Sequence, residues 1–148
     1  MQDGNEMRLE FDSRSCNEGF ARVAVAAFLT QLNPTLEEVA DVKTALSEAV
    51  TNCIVHGYQG AVEKIVIVCR IEGNLLEIQV VDHGCGIEDV KKAMEPLFTT
   101  RPEEERAGMG FAFMEAFMDE VSVESERGKG TTVIMKKKIE NPAGKFAV

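Results

Sequence analysis

Apolar residues recur along this chain with two different periods. Val39, Val42, Leu46, Ala49, Val50 and Cys53 fall three or four positions apart, the spacing of an amphipathic helix. Thr35, followed by Glu38, reads as a capping box that opens this helix, and Gly57, just after His56, reads as its stop. The opposite stripe is Thr44, Glu48, Asn52 and His56, each four residues from the last and therefore stacked on one helical face. An earlier helix is expected over residues 17–31, capped by Ser13 or Ser15, with Phe20, Val23, Ala24, Ala27 and Phe28 as its apolar face and Arg22 off that face. Asn33-Pro34 breaks it. Period-two alternation or runs of Ile and Val mark strands over 7–11, 64–70, 75–82, 120–125 and 131–139. Gly73-Asn74 and the run from Arg127 to Gly130 are the turns between consecutive strands. Short helices are expected over 87–94 and 111–118.

Strands joined by hairpins, with helices grouped in sequence, predict an α+β fold. The expected form is a two-layer α/β sandwich whose mostly antiparallel, mixed sheet is covered on one face by helices. At 148 residues, 45% hydrophobic and 28% charged, the chain reads as one globular domain over 1–148, with a frayed tail from about 141. The net charge of -9 argues against direct nucleic-acid binding, which needs clustered cations. Lys136, Lys137 and Lys138 do not change that reading, because a strand sends successive side chains to opposite faces. No apolar run approaches the roughly 18 residues of a membrane helix, and residues 1–10 lack a signal-peptide core, so a cytoplasmic protein without a membrane partner is expected. Cys16, Cys53, Cys69 and Cys85 form no CxxC pair and read as reduced thiols. Cys53 with His56 and His83 with Cys85 are spaced too irregularly for a zinc site.

The chemistry concentrates in four places. Glu48 and Asn52 share the polar face of the central helix. Asp82 ends a strand and runs into Gly84 and Gly86, which suggests close approach to the backbone. Gly108 and Gly110 precede a helix, and Gly128-x-Gly130-Thr131 makes the last turn. Before the second of these glycine pairs, residues 95–107 lack periodicity, as a functional lid or a disordered segment does. One GxG is weak evidence, since glycine pairs are common in turns. All four in this order resemble the N, G1, G2 and G3 boxes of the GHKL ATPase superfamily, the gyrase, Hsp90, histidine kinase and MutL type, over residues 8–139. The stretches Ser47-Glu48-Ala49-Val50-Thr51-Asn52, Pro96-Leu97-Phe98-Thr99-Thr100 and Gly108-Met109-Gly110-Phe111 are similar to those of the anti-sigma F factor family of endospore-forming bacteria, which are small serine kinases.

The resemblance implies ATP or ADP and Mg2+ as cofactors, and a role for each box. Asn52 supplies an oxygen to the magnesium held by ATP, a hard ion that prefers such donors. Glu48 serves as base or as positioner of the attacking group, two roles the sequence leaves open. Asp82 accepts a hydrogen bond from the exocyclic amine of adenine, where guanine presents an oxygen. Gly84 and Gly86 let the chain pass close to the base. Thr99, Thr100, Arg106 and, as a second candidate, Arg101 come from the lid, Gly108 and Gly110 offer N–H groups to phosphate, and Thr131 helps to fix adenine through water. His56 reads as a structural histidine at a helix end, His83 lies outside the boxes, and Cys85 reads as a small filler. The implied partners are a sporulation-type sigma factor, kept from RNA polymerase, and an anti-anti-sigma protein phosphorylated on serine. Arg22 is the candidate contact for both, and a homodimer is implied with the first strand and helix as its seam. The competing readings are a switch kinase of a general-stress sigma factor, an ATP-gated binding module without transfer, and a detached histidine-kinase catalytic domain.

Overall fold

The structure, a computed structural model, describes residues 4–95 and 110–140. Strand β1 is Gly4–Asp12, helix α1 is Cys16–Leu29 and helix α2 is Leu36–Asn52. Strands β2, Lys64–Glu72, and β3, Leu75–Asp82, follow, then one helical turn α3, Val90–Ala93. Helix α4, Phe111–Phe117, leads into β4, Glu120–Glu126, and β5, Gly130–Lys138. The five strands form one sheet in the order β1-β2-β3-β5-β4, and every pairing is antiparallel, so the mixed character expected from sequence is absent among the described residues.

The strand pattern decides which face is covered. Ile65, Ile67 and Cys69 of β2, Leu76, Ile78 and Val80 of β3, and Val133 and Met135 of β5 are buried against the helices. Asp82 is the next residue in that inward register, so β3 places a carboxylate at the rim of the core, opposite Thr131. The other face carries charge pairs such as Lys136 with Glu77 and Glu120, and Arg70 with Glu6. Lys137 points the other way, donating to the Phe117 carbonyl 2.8 Å away beside Asp41, as expected of neighbouring strand positions.

The capping box is formed: Thr35 Oγ1 accepts from Glu38 N at 3.1 Å, and Glu38 Oε1 accepts from Thr35 N at 2.9 Å. From there α2 buries Val42, Ala45, Leu46, Ala49 and Val50, and full burial of a Leu or Val side chain contributes about 1.5–3 kcal/mol. The α-helix does not run on to His56. It widens after Asn52 into a π turn, Cys53–Gly57, closed by Tyr58 N on the Cys53 carbonyl at 2.8 Å.

Helix α1 is rotated from its expected phase. Ala21, Val25 and Leu29 are buried, whereas Phe20 and Val23 are 55% and 61% exposed. The helix is apolar nearly all round, so side-chain size misplaced its inner stripe: the small Ala21 is what lets α1 pack on α2 and the sheet. The helix expected over 87–94 shrinks to Val90–Ala93, capped by Asp89, because Gly86 and Ile87 are held in the loop that leaves β3. Among the described residues no helix is long and apolar enough to cross a membrane.

Candidate functional site

Four elements meet at one cleft. Helix α2 and its π turn contribute Ala49, Asn52, Cys53, His56 and Gly57. The loop after β3 contributes Asp82, Gly86 and Ile87, and β5 contributes Thr131 and Val133, with Phe111 at the start of α4. The lining pairs apolar walls with a few polar groups at fixed points, the usual build of a small-molecule site.

Asp82 is 4% exposed, and burial raises its pKa from the ordinary carboxylate value, an effect that hydrogen bonding, first from Gly84 N, partly offsets. Gly84 N donates to Oδ1 at 2.8 Å. A carboxylate has about four acceptor positions, so room remains for a ligand donor. Glu48 lies one turn before Asn52. Burial first, and then the charge of Glu18 on α1, raise its pKa. A carboxylate held this way is a better proton acceptor than a solvated one.

The glycines serve chain-to-chain contact more than the expected approach of a base. A Cβ at Gly84 would fall 2.1 Å from the Gly57 carbonyl oxygen, and one at Gly57 would fall 2.9 Å from the Asp82 carboxyl. A Cβ at Gly86, φ +75°, would fall 2.1 Å from the Glu126 oxygen. The loop after β3 is thereby pressed between the π turn and the β4–β5 turn, and Cys85 N donates to Gly57 O at 2.9 Å across the first of those seams. Gly110, φ +65°, stands at the start of α4 with Glu48 against it.

Several groups in this frame carried no signal in the sequence. Ser125 Oγ accepts from Ile87 N at 2.8 Å and donates to the Gly130 carbonyl at 2.9 Å. Its one proton is thus used, so in the 2.8 Å contact between the two hydroxyls Thr131 is the donor. Thr131 Oγ1 therefore keeps its acceptor capacity. Tyr58 Oη accepts from His83 N at 2.7 Å and donates to the Lys64 carbonyl, tying the π turn to two strands. Only fold-specific pairing brings these residues together, and none lies in a recognisable local pattern.

The expected residues divide clearly. Asn52, Asp82, Gly86 and Thr131 line the cleft, Gly84 braces it, and Gly110 and Glu48 stand together at its α4 end. Arg22 sits apart on α1, with Nη1 3.5 Å from Glu18 and 3.5 Å from Ser47 Oγ. Thr99, Thr100, Arg101, Arg106 and Gly108 lie outside the described residues. His56 lines the cleft as well as ending the helical segment, and His83 is exposed. Cys85 is also exposed, with Sγ 3.1 Å from the His56 carbonyl, so it is a rim residue and not a packed filler. All four cysteines are free thiols.

The family model described as Histidine kinase-like ATPase domain matches residues 13–137. The Anti-sigma F factor of Thermoanaerobacter sp. (strain X514) is 61% identical over 139 residues, 94% of this chain and 97% of that one. The chain belongs to the anti-sigma F factor family, within the histidine kinase-like ATPases. The Anti-sigma F factor of Clostridium acetobutylicum is 58% identical over 134 residues, covering 90% of this chain and 94% of that one. Among solved structures, the RsbU and RsbW domains of Rv1364c from Mycobacterium tuberculosis superpose with a TM-score of 0.66 at 21% identity, over 91% of this chain and 32% of that one. The catalytic domain of histidine kinase ThkA superposes with a TM-score of 0.55 at 16% identity, over 90% of this chain and 96% of that one. At those identities the two structures speak for the fold alone.

An ATPase-type fold implies nucleotide binding, and the donor set here fits a magnesium–purine nucleotide. The cleft offers one amide as a hard oxygen donor in Asn52, one buried carboxylate facing the space, and apolar walls in Ile87, Val133 and Phe111.

Proposed function

We propose that this protein is an anti-sigma factor and a serine-protein kinase. It sequesters a sporulation-type sigma factor from RNA polymerase, and it phosphorylates an anti-anti-sigma protein on serine with Mg-ATP. The observation that carries the reading is the convergence of Asn52 and Asp82 on one cleft, with Glu48 one helical turn away on the same face of α2.

Each residue has a physical task in that reaction. Asp82 accepts from the exocyclic amine of adenine and rejects a ring bearing oxygen there, because two acceptors repel. Gly84 and Gly86 hold the loop that carries it, and Thr131 offers an acceptor for a bridging water. Asn52 presents its amide oxygen to magnesium, which when bound neutralises phosphate charge. Glu48 orients the substrate serine hydroxyl and takes its proton, with Gly110 limiting where the carboxylate can move. The lid residues Thr99, Thr100, Arg106 and Gly108 complete the phosphate end in this reading.

Protein partners meet a different surface. Arg22 lies on α1, a helix that also exposes Phe20 and Val23, and exposed arginine and aromatic or aliphatic side chains on one helix suit a protein interface. The sigma factor and the anti-anti-sigma protein compete there. A homodimer forms along β1 and α1, where β1 is an edge strand of the sheet.

The test incubates the protein with labelled ATP, magnesium and an anti-anti-sigma protein, and identifies the residue that holds the label. Phosphoserine is the expected product. Phosphohistidine would make the chain a histidine-kinase catalytic domain, and ATP bound without transfer would make it a binding module. Glu48→Gln is expected to abolish transfer while ATP still binds.

A further inference from the structure

Val133 and Met135 of β5 face the helices, and Lys137 takes the next position in that inward row. Its side chain is only 12% exposed. The ammonium donates to the Phe117 carbonyl at 2.8 Å and lies 3.8 Å from Asp41 Oδ2 on α2. Phe117 ends α4, where a carbonyl has no partner inside the helix, so Lys137 supplies one. The other end of α4 is held differently: Gly110 stands against Glu48. Asp41 and Glu48 lie about two turns apart on α2, as Gly110 and Phe117 do on α4. The two helices therefore run in opposite directions, with matched ends about 10 Å apart. Between those ends α4 buries Phe111 and Met114. Apolar burial is non-directional, so it holds α4 down without fixing where along α2 it comes to rest. The hydrogen bond from Lys137 has a direction and a length, and it fixes that point.

We propose that Lys137 is a positioning residue for phosphotransfer: from β5 it sets how far α4 slides along α2, and so where Gly110 bounds the Glu48 carboxylate. This rests on the kinase reading of Glu48 given above and extends it to a residue outside the cleft. A lysine suits the place because its long apolar stem crosses from the sheet to the helix layer while its head reaches two elements at once. The far end has little slack, since a Cβ at Gly110 would fall 3.3 Å from Glu48 Cβ as well as close to the carboxylate.

The experiment compares wild-type protein with Lys137→Met, Lys137→Arg and Asp41→Asn. It measures single-turnover transfer from Mg-ATP to an anti-anti-sigma protein, ATP affinity by calorimetry, and the melting temperature of each variant. Lys137→Met keeps the apolar stem and loses the donor, and Lys137→Arg keeps a donor. Lys137→Met is expected to slow transfer about three- to tenfold with ATP affinity held within about twofold, and Lys137→Arg to recover most of the rate. The decisive readout is a double-mutant cycle with Gly110→Ala. Once Gly110 no longer bounds Glu48, Lys137→Met should slow transfer by less than about twofold further. A residue that only stabilises the fold would add its full effect in both backgrounds. If Lys137→Met does not fold, Asp41→Asn, which loosens the same tie from α2, takes its place in the cycle. Unchanged transfer in the folded variants, a rate that falls in step with ATP affinity, or a loss fully additive with Gly110→Ala overturns the role of Lys137 and leaves the kinase reading intact. A wild-type protein that transfers no phosphate to serine overturns both.

Discussion

A Cβ at Gly110 would lie 2.3 Å from Glu48 Oε2, so the residue that caps one helix sets the limit on a carboxylate carried by another. Gly110 also holds φ +65°, which a residue with a side chain adopts only at a cost. Gly110→Ala is expected to push Glu48 out of line. A misplacement of about 1 Å costs about a hundredfold in rate, so phosphotransfer should fall by at least tenfold while nucleotide affinity changes by less than about threefold. Single-turnover transfer and equilibrium binding, measured on the same preparation, separate the two effects. Loss of affinity without loss of rate would remove Gly110 from the catalytic geometry.

Glu48 titrates above an ordinary glutamate because it is partly buried and because Glu18 adds negative charge. A base works only when ionised, so transfer should fail as pH drops through that raised pKa. Glu18→Gln removes the second cause, and the acidic limb of the rate profile should move to lower pH. An acidic limb that stays in place, with the variant folded, would show that Glu48 is not the group titrating. The same shift has a sign for stability. The folded state binds the Glu48 proton more readily than the unfolded chain does, so between the two pKa values this group's contribution to stability declines as pH rises.

Tyr58→Phe should destabilise the fold. The hydroxyl accepts from His83 N and donates to the Lys64 carbonyl, and its loss leaves both backbone groups short of a partner in a partly buried place. An unsatisfied buried polar group costs about 1–3 kcal/mol, and denaturant unfolding should register a loss in that range. A change below about 0.5 kcal/mol would mean that water replaces the hydroxyl.

Ser125→Ala should act on the site as well as on stability. The hydroxyl joins Ile87 N, the Gly130 carbonyl and the Thr131 hydroxyl, three points on two walls of the cleft. Its removal frees the Thr131 hydroxyl to turn. Adenosine nucleotide affinity should fall about three- to tenfold, alongside a loss of about 1–3 kcal/mol in unfolding free energy. Ser125→Thr retains the hydroxyl and should recover most of the affinity.

The sequence exposes periodic features well and contacts between distant residues poorly. The strand from Leu75 to Asp82 and the capping box at Thr35 are readable because each is local, set by alternation or by a three-residue spacing. Glu48, Asn52 and Asp82 stand out because helical spacing and a strand end followed by glycines are also local signs. The inner face of α1 is not readable: Phe20 outweighs Ala21 on any scale of hydrophobicity, yet closeness of packing to α2 selects the smaller residue. Ser125, Tyr58 and Cys53 enter the site only through the register of β5 with β3 and through the widened turn after Asn52. Nothing in their own neighbourhoods marks them. The glycines at 84 and 86 were legible as positions of close approach, but what they approach is other backbone.

The widened turn has a consequence for how this chain tolerates changes in length. A π turn holds one residue more than an α turn of similar height. Deleting Ile54 or Val55 would let the segment close as a regular α turn of similar height, so the chain beyond it would keep its direction. Tyr58 would keep its reach to His83 and Lys64, and Gly57 its notch against Gly84. A deletion within the regular winding of α2, where no surplus residue exists, would instead rotate everything beyond it by about 100°.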